Sequence, residues 1–381
     1  MKTIYIVFDK LHSNEAGGLV SAYASLMQLL KNDYTIKVVS IINSNITKHD
    51  MFSGCEIINA SKYDFFPRME VISDSIKHFK LFSFIKEMFK LVCYFCYIPI
   101  ARTKMIKMFS SDDIIIVSSP AAGMFMSSKN RFILEIHTKF EYFWGTNKLG
   151  RLQSKLMSKP YITVFRTKAD MEKASKYFNS TYSYNFIDKE IFNDAVSIGE
   201  EKRKNKIIYM GRFGKEKNLP KMIECAKLLK QQIQDFTLDM YGTGVLVDDI
   251  ARLIKENELT ENVHLCGFCN DKNIFDNYSL LWLTSDFEGM SMTIIEAKAK
   301  GVPTISTNWG DGVYEVIHDQ EDGFIEDTIE NFVNKTAELM NNREMLINIS
   351  KNAYANFDEF SKENAYKRWI QLLKKFEGEL E

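Results

Sequence analysis

The sequence predicts an α/β fold made of two doubly wound, parallel-sheet domains in tandem, facing a central cleft. Three observations predict it. Short runs of β-branched and aromatic residues alternate with helical patterns along the whole chain, as in repeated strand–helix–strand units. The strand runs are apolar at successive positions, as expected where helices cover both faces of a sheet. The alternation stops at a polar stretch, 194–205 (DAVSIGEEKRKN), and then restarts.

In the first half, strands are expected at 3–8 (TIYIVF), 35–42 (TIKVVSII), 113–118 (DIIIVS), 131–136 (RFILEI), 161–165 (YITVF) and 181–185 (TYSYN). A helix over 18–31 links the first two. The second half predicts strands at 206–210, 236–241, 262–266, 280–284 and 303–306. Its helices are expected at 218–232, 245–257, 291–300, 328–341 and 343–356. A last helix over 361–377 has Ser361 as N-cap and Trp369 on its apolar face. The domains are therefore 1–193 and 206–360, joined by the linker 194–205. The segment 361–381 is expected to pack back towards the N-terminal domain. Open parallel sheets bind ligands at the C-terminal ends of their strands, which makes the cleft the expected site.

The chain has 381 residues, enough for two cores, with 45% hydrophobic and 26% charged residues. That composition excludes a disordered, collagenous or rod-like protein. The net charge of −1 hides an asymmetry. Residues 1–200 carry 26 Lys and Arg against 19 Asp and Glu, whereas the rest carry 23 against 31. A basic first half favours an anionic partner, such as lipid headgroups or a polyanion; no nucleic-acid partner is expected. The opening MKTIYIVFDK is too short and too charged for a signal peptide or anchor. The longest apolar stretch, 91–101, is too short to span a bilayer. The expected location is the cytoplasm, with the inner face of the plasma membrane as a peripheral site. Reduced cysteines are expected there. The pairs Cys93/Cys96 and Cys266/Cys269 lie in apolar runs and read as buried small hydrophobes rather than zinc or redox motifs.

The segment 76–109 can be read in two ways. Phe79, Phe82, Ile85, Phe89 and Val92 recur at helical spacing, ringed by Lys77, Lys80, Lys86, Lys90, Arg102, Lys104 and Lys107. This suits an amphipathic helix on an anionic membrane. It also suits a core helix with snorkelling lysines.

Two stretches carry the chemistry. In 284–304 (TSDFEGMSMTIIEAKAKGVPT) a strand gives way to a loop with Glu288 and Gly289, then to a helix carrying Glu296. Free N–H groups at such a helix start suit a phosphate, and Gly289 lets the backbone approach a ligand closely. Carboxylates beside a phosphate site accept hydrogen bonds from sugar or ribose hydroxyls. In 211–218 (GRFGKEKN), Arg212 and Lys217 follow Gly211 at a strand end, placing a bidentate and a point charge where a diphosphate can be held. Two solvated glutamates and a basic surface loop are the ordinary alternatives for these stretches.

This arrangement resembles the retaining glycosyltransferases of the GT-B fold, family 4. Glu288 and Glu296 have the spacing of that family's E-x7-E motif, and AKAKGVPTIST resembles its continuation. GRFGKEKN resembles its diphosphate motif, NFIDKEIF (185–192) its segment before the linker, and YGTG (241–244) its strand-end G-x-G. The resemblance covers nearly the whole chain and is stronger in the C-terminal half. It implies that Gly211, Arg212 and Lys217 hold the donor diphosphate and that Glu296 bonds the ribose. Glu288 would contact the donor sugar, backbone groups of Gly289, Met290, Ser291 and Met292 would meet sugar or phosphate, and Gly267 and Phe268 would edge the base. Met290 and Met292 depart from the family's usual loop. In the first half, Gly17 and Gly18 match its glycine-rich loop, and His137 its strand-end histidine near the donor sugar. The implied catalytic set is Glu288, His137, Arg212 and Lys217.

The resulting expectation is a retaining transferase that moves a sugar from a nucleotide-diphosphate sugar, most simply a UDP-sugar. The acceptor would be a hydroxyl on a cell-surface glycan, a lipid-linked intermediate, a teichoic-acid-type polymer or another polyanion. Attack would come from the same face as the leaving phosphate, with no protein nucleophile. No cofactor and no metal are expected, since no D-x-D motif precedes the donor stretch. The alternatives are a sugar-nucleotide epimerase of the same fold or a non-catalytic nucleotide-sugar-binding protein. A dehydrogenase would need a G-x-G-x-x-G after the first strand, which this sequence lacks.

Overall fold

The computed structural model describes residues 2–11, 18–146, 148–188, 203–271 and 273–378. The chain divides into two compact units. One comprises Met1–Arg166, Asp170–Ser183 and Ile370–Glu381, and the other Thr167–Ala169 and Tyr184–Trp369.

The N-terminal unit runs β1 (Thr3–Phe8), α1 (Gly18–Leu30), β2 (Thr35–Ser40), β3 (Glu56–Asn59), α2 (Met69–Lys77), α3 (Leu81–Met108), β4 (Ile114–Val117), α4 (Pro120–Gly123), β5 (Ile133–Ile136), α5 (Lys148–Leu156), β6 (Ile162–Phe165), α6 (Lys168–Ala174) and β7 (Ser180–Tyr182). Its seven strands lie in the order β3-β2-β1-β4-β5-β6-β7, all parallel. The central strands β4, β5 and β6 are buried along their whole length, which is why they read as largely apolar runs, broken by the charge of Glu135 in β5.

The C-terminal unit runs β8 (Lys206–Met210), α7 (Leu219–Gln232), β9 (Thr237–Tyr241), α8 (Val247–Glu256), β10 (Val263–Gly267), β11 (Leu280–Leu283), α9 (Met292–Ala299), β12 (Thr304–Thr307), α10 (Val313–Val316), β13 (Gly323–Glu326), α11 (Ile329–Asn341), α12 (Arg343–Asn356) and α13 (Lys362–Glu377). Its strand order is β10-β9-β8-β11-β12-β13, again all parallel. Trp282 on β11 anchors this core and donates its Nε1–H to Thr336 Oγ1 at 3.1 Å. Ser361 Oγ accepts from Asn364 N at 3.3 Å at the start of α13, and Trp369 is buried on its inner face.

Sheet order reverses once in each unit, between β1 and β4 and between β8 and β11. At such a point neighbouring connections leave the sheet in opposite directions and open a crevice at the strand C-termini.

Several expectations need correction. The edge strands β3 and β13 were not foreseen. Each has four residues and only two strong apolar side chains, and β3 is only partly buried. The segment 76–109 is not one helix: α2 and α3 meet at a turn where Phe79 has φ +52°. The cysteines are not uniformly buried. Cys225 is, but Cys96 lies on the solvent face of α3 and Cys266 on the edge strand β10, and both are exposed. Of the expected linker 194–205, residues 194–202 lie outside the described residues, and 203–205 belong to the C-terminal unit with 184–188. The last helix divides, with residues through Trp369 in the C-terminal unit and those from Ile370 in the N-terminal one. Among the described residues no helix is long and apolar enough to cross a membrane.

Candidate active site

In the C-terminal unit the two candidate loops leave β8 and β11, the strands on either side of the reversal. Residues 211–218 follow β8, and 284–291 follow β11 into α9. Backbone and side-chain bonds bind the two loops together. Asp286 N donates to Glu216 O at 2.9 Å, and Thr284 Oγ1 donates to the carbonyls of Lys217 and Asn218, each at 3.2 Å. Asn218 has φ +45° and turns the chain into α7, while its amide donates to Asp286 Oδ1 at 2.8 Å.

The glycines explain the tight approach of the neighbouring strand end. A Cβ on Gly242 (φ +146°) would sit 1.8 Å from the carbonyl oxygen of Gly211, and one on Gly244 (φ +154°) 2.5 Å from that of Phe213. Only glycine lets 241–244 pack against 211–213.

At the centre, Lys217 Nζ is paired with Glu288 Oε1, and Ser285 Oγ donates to the same oxygen at 2.8 Å. Both side chains are largely covered, at 16% and 12% exposed. The start of α9 is adjacent: Ser291 occupies the cap position in extended conformation without a side-chain capping bond. Thr293 Oγ1 donates to Met210 O at 3.1 Å, docking the first turn of α9 on the end of β8. Arg212 behaves differently. It is 74% exposed and is held by Glu216, with Nη2 and Nε at 2.7 and 3.2 Å from Oε1. Desolvation would raise the Glu216 carboxyl, but its own backbone N–H and Arg212 hold it below the usual range. Burial, with Glu288 and Glu216 nearby, pushes the Tyr209 phenol well up, so it stays a donor, to Arg212 O at 3.0 Å.

The other expected donor residues distribute as follows. Glu296 is buried on α9, one turn beyond its start. Met290 is also buried, and its sulfur accepts from Asn185 N at 3.3 Å. It supports the loop from inside rather than facing solvent. Ser291 is buried and Met292 partly so. Gly267 (φ +71°) has open space where a Cβ would lie, and Phe268 beside it is 69% exposed. They stand at the end of β10, two strands from β8.

In the N-terminal unit, His137 directly follows β5. It sits in a cluster that sequence reasoning did not assemble. Arg166, one residue beyond β6, pairs with Glu135 Oε1, places Nη2 at 2.9 Å from His137 Nε2, and donates from Nη1 to Ser183 O at 3.1 Å. Tyr23 of α1 is fully buried, its ring 5.3 Å from that of His137 and its hydroxyl 3.4 Å from Nε2. Burial would raise the Glu135 carboxyl, but Arg166 overrides it and holds the group ionised, at about 2. Burial and the Arg166 charge together lower His137 to about 4, so the imidazole is neutral at pH 7. A neutral imidazole accepts at one nitrogen. Arg166 faces both ring nitrogens, with Nη2 at 2.9 Å from Nε2 and Nε donating to Nδ1 at 3.3 Å. The signal available in the sequence was Glu135 itself, a charge in the middle of an otherwise apolar central strand. Tyr23 links His137 to the helix opened by Gly18. Gly17 lies outside the described residues.

No group of metal-ligating side chains is present among the described residues.

Comparison with known proteins covers both halves unequally. Residues 190–356 match the family model described as "Glycosyl transferases group 1". The poly(glycerol-phosphate) alpha-glucosyltransferase of Bacillus subtilis (strain 168) is 26% identical over 192 residues, 49% of this chain and 28% of that protein. The chain thus matches little more than a quarter of that relative's length. Among solved structures, a mutant of S. aureus TarM in complex with Fondaparinux, alpha-GlcNAc-glycerol and UDP aligns with a TM-score of 0.74 at 15% identity, over 98% of this chain and 99% of that one. Anabaena HepE in complex with UDP and glucose aligns with a TM-score of 0.72 at 14% identity, over 98% and 99%. The fold is that of these GT-B structures, two Rossmann-like parallel-sheet units in one chain, and the C-terminal unit carries the group 1 glycosyltransferase match.

Proposed function

We propose that this protein is a retaining glycosyltransferase of the family 4 type that moves a sugar from a UDP-sugar to a hydroxyl of a cell-surface acceptor. The observation that carries the reading is the covered Lys217–Glu288–Ser285 group at the strand reversal, beside the start of α9. A diphosphate carries more charge than a carboxylate and competes for the Lys217 ammonium. Glu288, released from Lys217, accepts hydrogen bonds from the donor sugar. Arg212 turns from Glu216 to the same diphosphate, and the first-turn amides of α9 add their dipoles. Gly211 allows the close backbone approach, Glu296 takes the ribose, and Gly267 and Phe268 edge the base. Backbone groups of Gly289, Met290, Ser291 and Met292 meet the sugar.

The acceptor hydroxyl attacks on the face the diphosphate leaves, and a leaving-phosphate oxygen takes its proton. Positive charge from Lys217 and Arg212 stabilises the departing group, so the reading calls for no resident metal. In the family the sequence resembles, a strand-end histidine and a glycine-rich loop belong to the donor site; His137, which is neutral and held by Arg166, and Gly17 and Gly18 match them. The acceptor class is a teichoic-acid-type polymer, a lipid-linked intermediate or another glycan, and the work is cytoplasmic. The likeness to enzymes named for poly(glycerol phosphate), and to structures holding UDP, supports this choice.

The test is a thermal-shift and calorimetric panel of uridine, guanosine, adenosine and thymidine diphosphate sugars. Uridine compounds alone are expected to stabilise the protein, with the effect lost in Lys217→Ala and Glu296→Ala. Product analysis with poly(glycerol phosphate) then follows. Stabilisation by no nucleotide overturns the reading. Conversion of the sugar nucleotide without acceptor replaces it with epimerisation.

A further inference from the structure

We infer that the outer face of α2 and α3 is a docking surface for an anionic lipid bilayer. The inner face of α3 is fully used. Tyr94, Ile98, Ala101 and Met105 are buried in the core of the N-terminal unit, and Glu87, also buried, holds Arg68 and Lys90. The outer face is apolar all the same. Phe82, Ile85, Phe89, Val92, Ile100 and Ile106 are all exposed and fall at spacings of three, four, three, eight and six residues, along one side of the helix. At 1.5 Å per residue this ridge runs about 36 Å. It continues into the turn before α3, where Phe79 is 93% and Leu81 70% exposed. Phe79 has φ +52°, a conformation that costs a non-glycine residue free energy, and its side chain recovers no burial in return. An apolar patch of this extent on a folded protein marks a contact surface.

The charges beside the ridge choose the partner. Residues 69–108 carry seven Lys and Arg against three Asp and Glu. Lys80 pairs with Asp74, Lys90 with Glu87, and Lys104 and Arg102 bond backbone carbonyls, so these four fasten the helices. Lys77, Lys86 and Lys107 are exposed and form no ion pair among the described residues. Lys86 sits on the apolar side itself, between Phe82 and Phe89. An amphipathic helix lying in a bilayer interface has this composition, with phenylalanines entering the acyl boundary and lysines reaching up to phosphate headgroups. A second copy fits worse. An antiparallel pair centred near Cys96 would set Lys86 beside Lys107 of the other copy, with no acid between them. The ridge shares no residue with the groups assigned to sugar transfer.

The experiment is flotation of the full chain with vesicles of equal parts phosphatidylglycerol and phosphatidylcholine, and with phosphatidylcholine alone. The protein is expected to float with the anionic vesicles and to be partly released by high salt. Phe82→Ser combined with Phe89→Ser should weaken partition about a hundredfold, since each buried Phe contributes roughly tenfold or more. Lys77→Gln combined with Lys86→Gln should weaken it about fivefold per lysine on anionic vesicles only. Both variants change exposed side chains, and unaltered circular dichroism shows that they fold. The inference is overturned if the wild type stays in the soluble fraction, or if the phenylalanine variant floats equally well. It is also overturned if the wild type self-associates in sedimentation and the phenylalanine variant loses that association while vesicles capture neither.

Discussion

The charged clusters of the two units are built on opposite plans. In the N-terminal unit, Glu135, Arg166 and His137 stand at the ends of adjacent strands, one carboxylate and one guanidinium taken almost entirely out of water. In the C-terminal unit, Lys217, Glu288, Arg212 and Glu216 ride on loops, and their pairs range from mostly covered to open to solvent. Desolvated charges must be paired to be tolerated, so the first cluster is locked and its work is to fix the state of one imidazole. The exposed Arg212–Glu216 pair loses little when it separates, while the Lys217–Glu288 pair is largely covered but carried on loops rather than on strand ends.

Perturbations can break this contrast, beginning with the largest. Glu135→Ala leaves Arg166 buried without its carboxylate and should cost about 3–5 kcal/mol of unfolding free energy, read by urea titration. A loss below about 1 kcal/mol would erase the distinction between the clusters. Acid comes next. His137 is lowered from 6.5 to about 4, so its native form holds fewer protons than the unfolded chain. Its contribution is complete above pH 6.5 and is lost as pH falls to about 4, removing about 3 kcal/mol by linkage. Glu135, lowered from 4.5 to about 2, adds a second loss between those values. His137→Asn should flatten the first slope and leave the second, which denaturation across a pH series checks. Glu288→Ala should cost about 1–3 kcal/mol, because it leaves the largely covered Lys217 ammonium without its carboxylate. The same change should lower transfer from a UDP-sugar at least about a hundredfold. Smallest is Arg212→Ala, within about 0.5 kcal/mol in thermal unfolding.

Much of the fold was legible because the central strands are written in isoleucine and valine and sit between two helical layers. IIIV and ITVF admit few other readings. EIIN and GFIE fail as signals because edge strands need less apolar surface, and their polar ends look like loop. The meeting of the two candidate loops in the C-terminal unit was legible because they lie in two short contiguous stretches whose order already implies strand, loop and helix. The N-terminal cluster was not. Glu135 and Arg166 are 31 positions apart and meet only through the pairing of β5 with β6. Nor could spacing decide whether the phenylalanines of α3 face inward. The helix is apolar on both sides, and the burial of Glu87, Tyr94, Ile98, Ala101 and Met105 tells which side the core took.

The division of α13 bears on how the molecule is made. The last turns of that helix complete the N-terminal unit: Phe376 stacks under the Arg131 guanidinium at 4.7 Å and against Tyr161, and Glu377 pairs with Lys2 at 2.7 Å. Those residues leave the ribosome only after the whole stretch 184–369 has been translated. At 5–20 residues per second that is a delay of about ten to forty seconds. During that interval the N-terminal ends of β5, β6 and β1 lack the side chains of Phe376 and Glu377 that pack there. The first unit to be synthesised is therefore the last to be completed, and a chain truncated before Ile370 would leave it permanently in that nascent form.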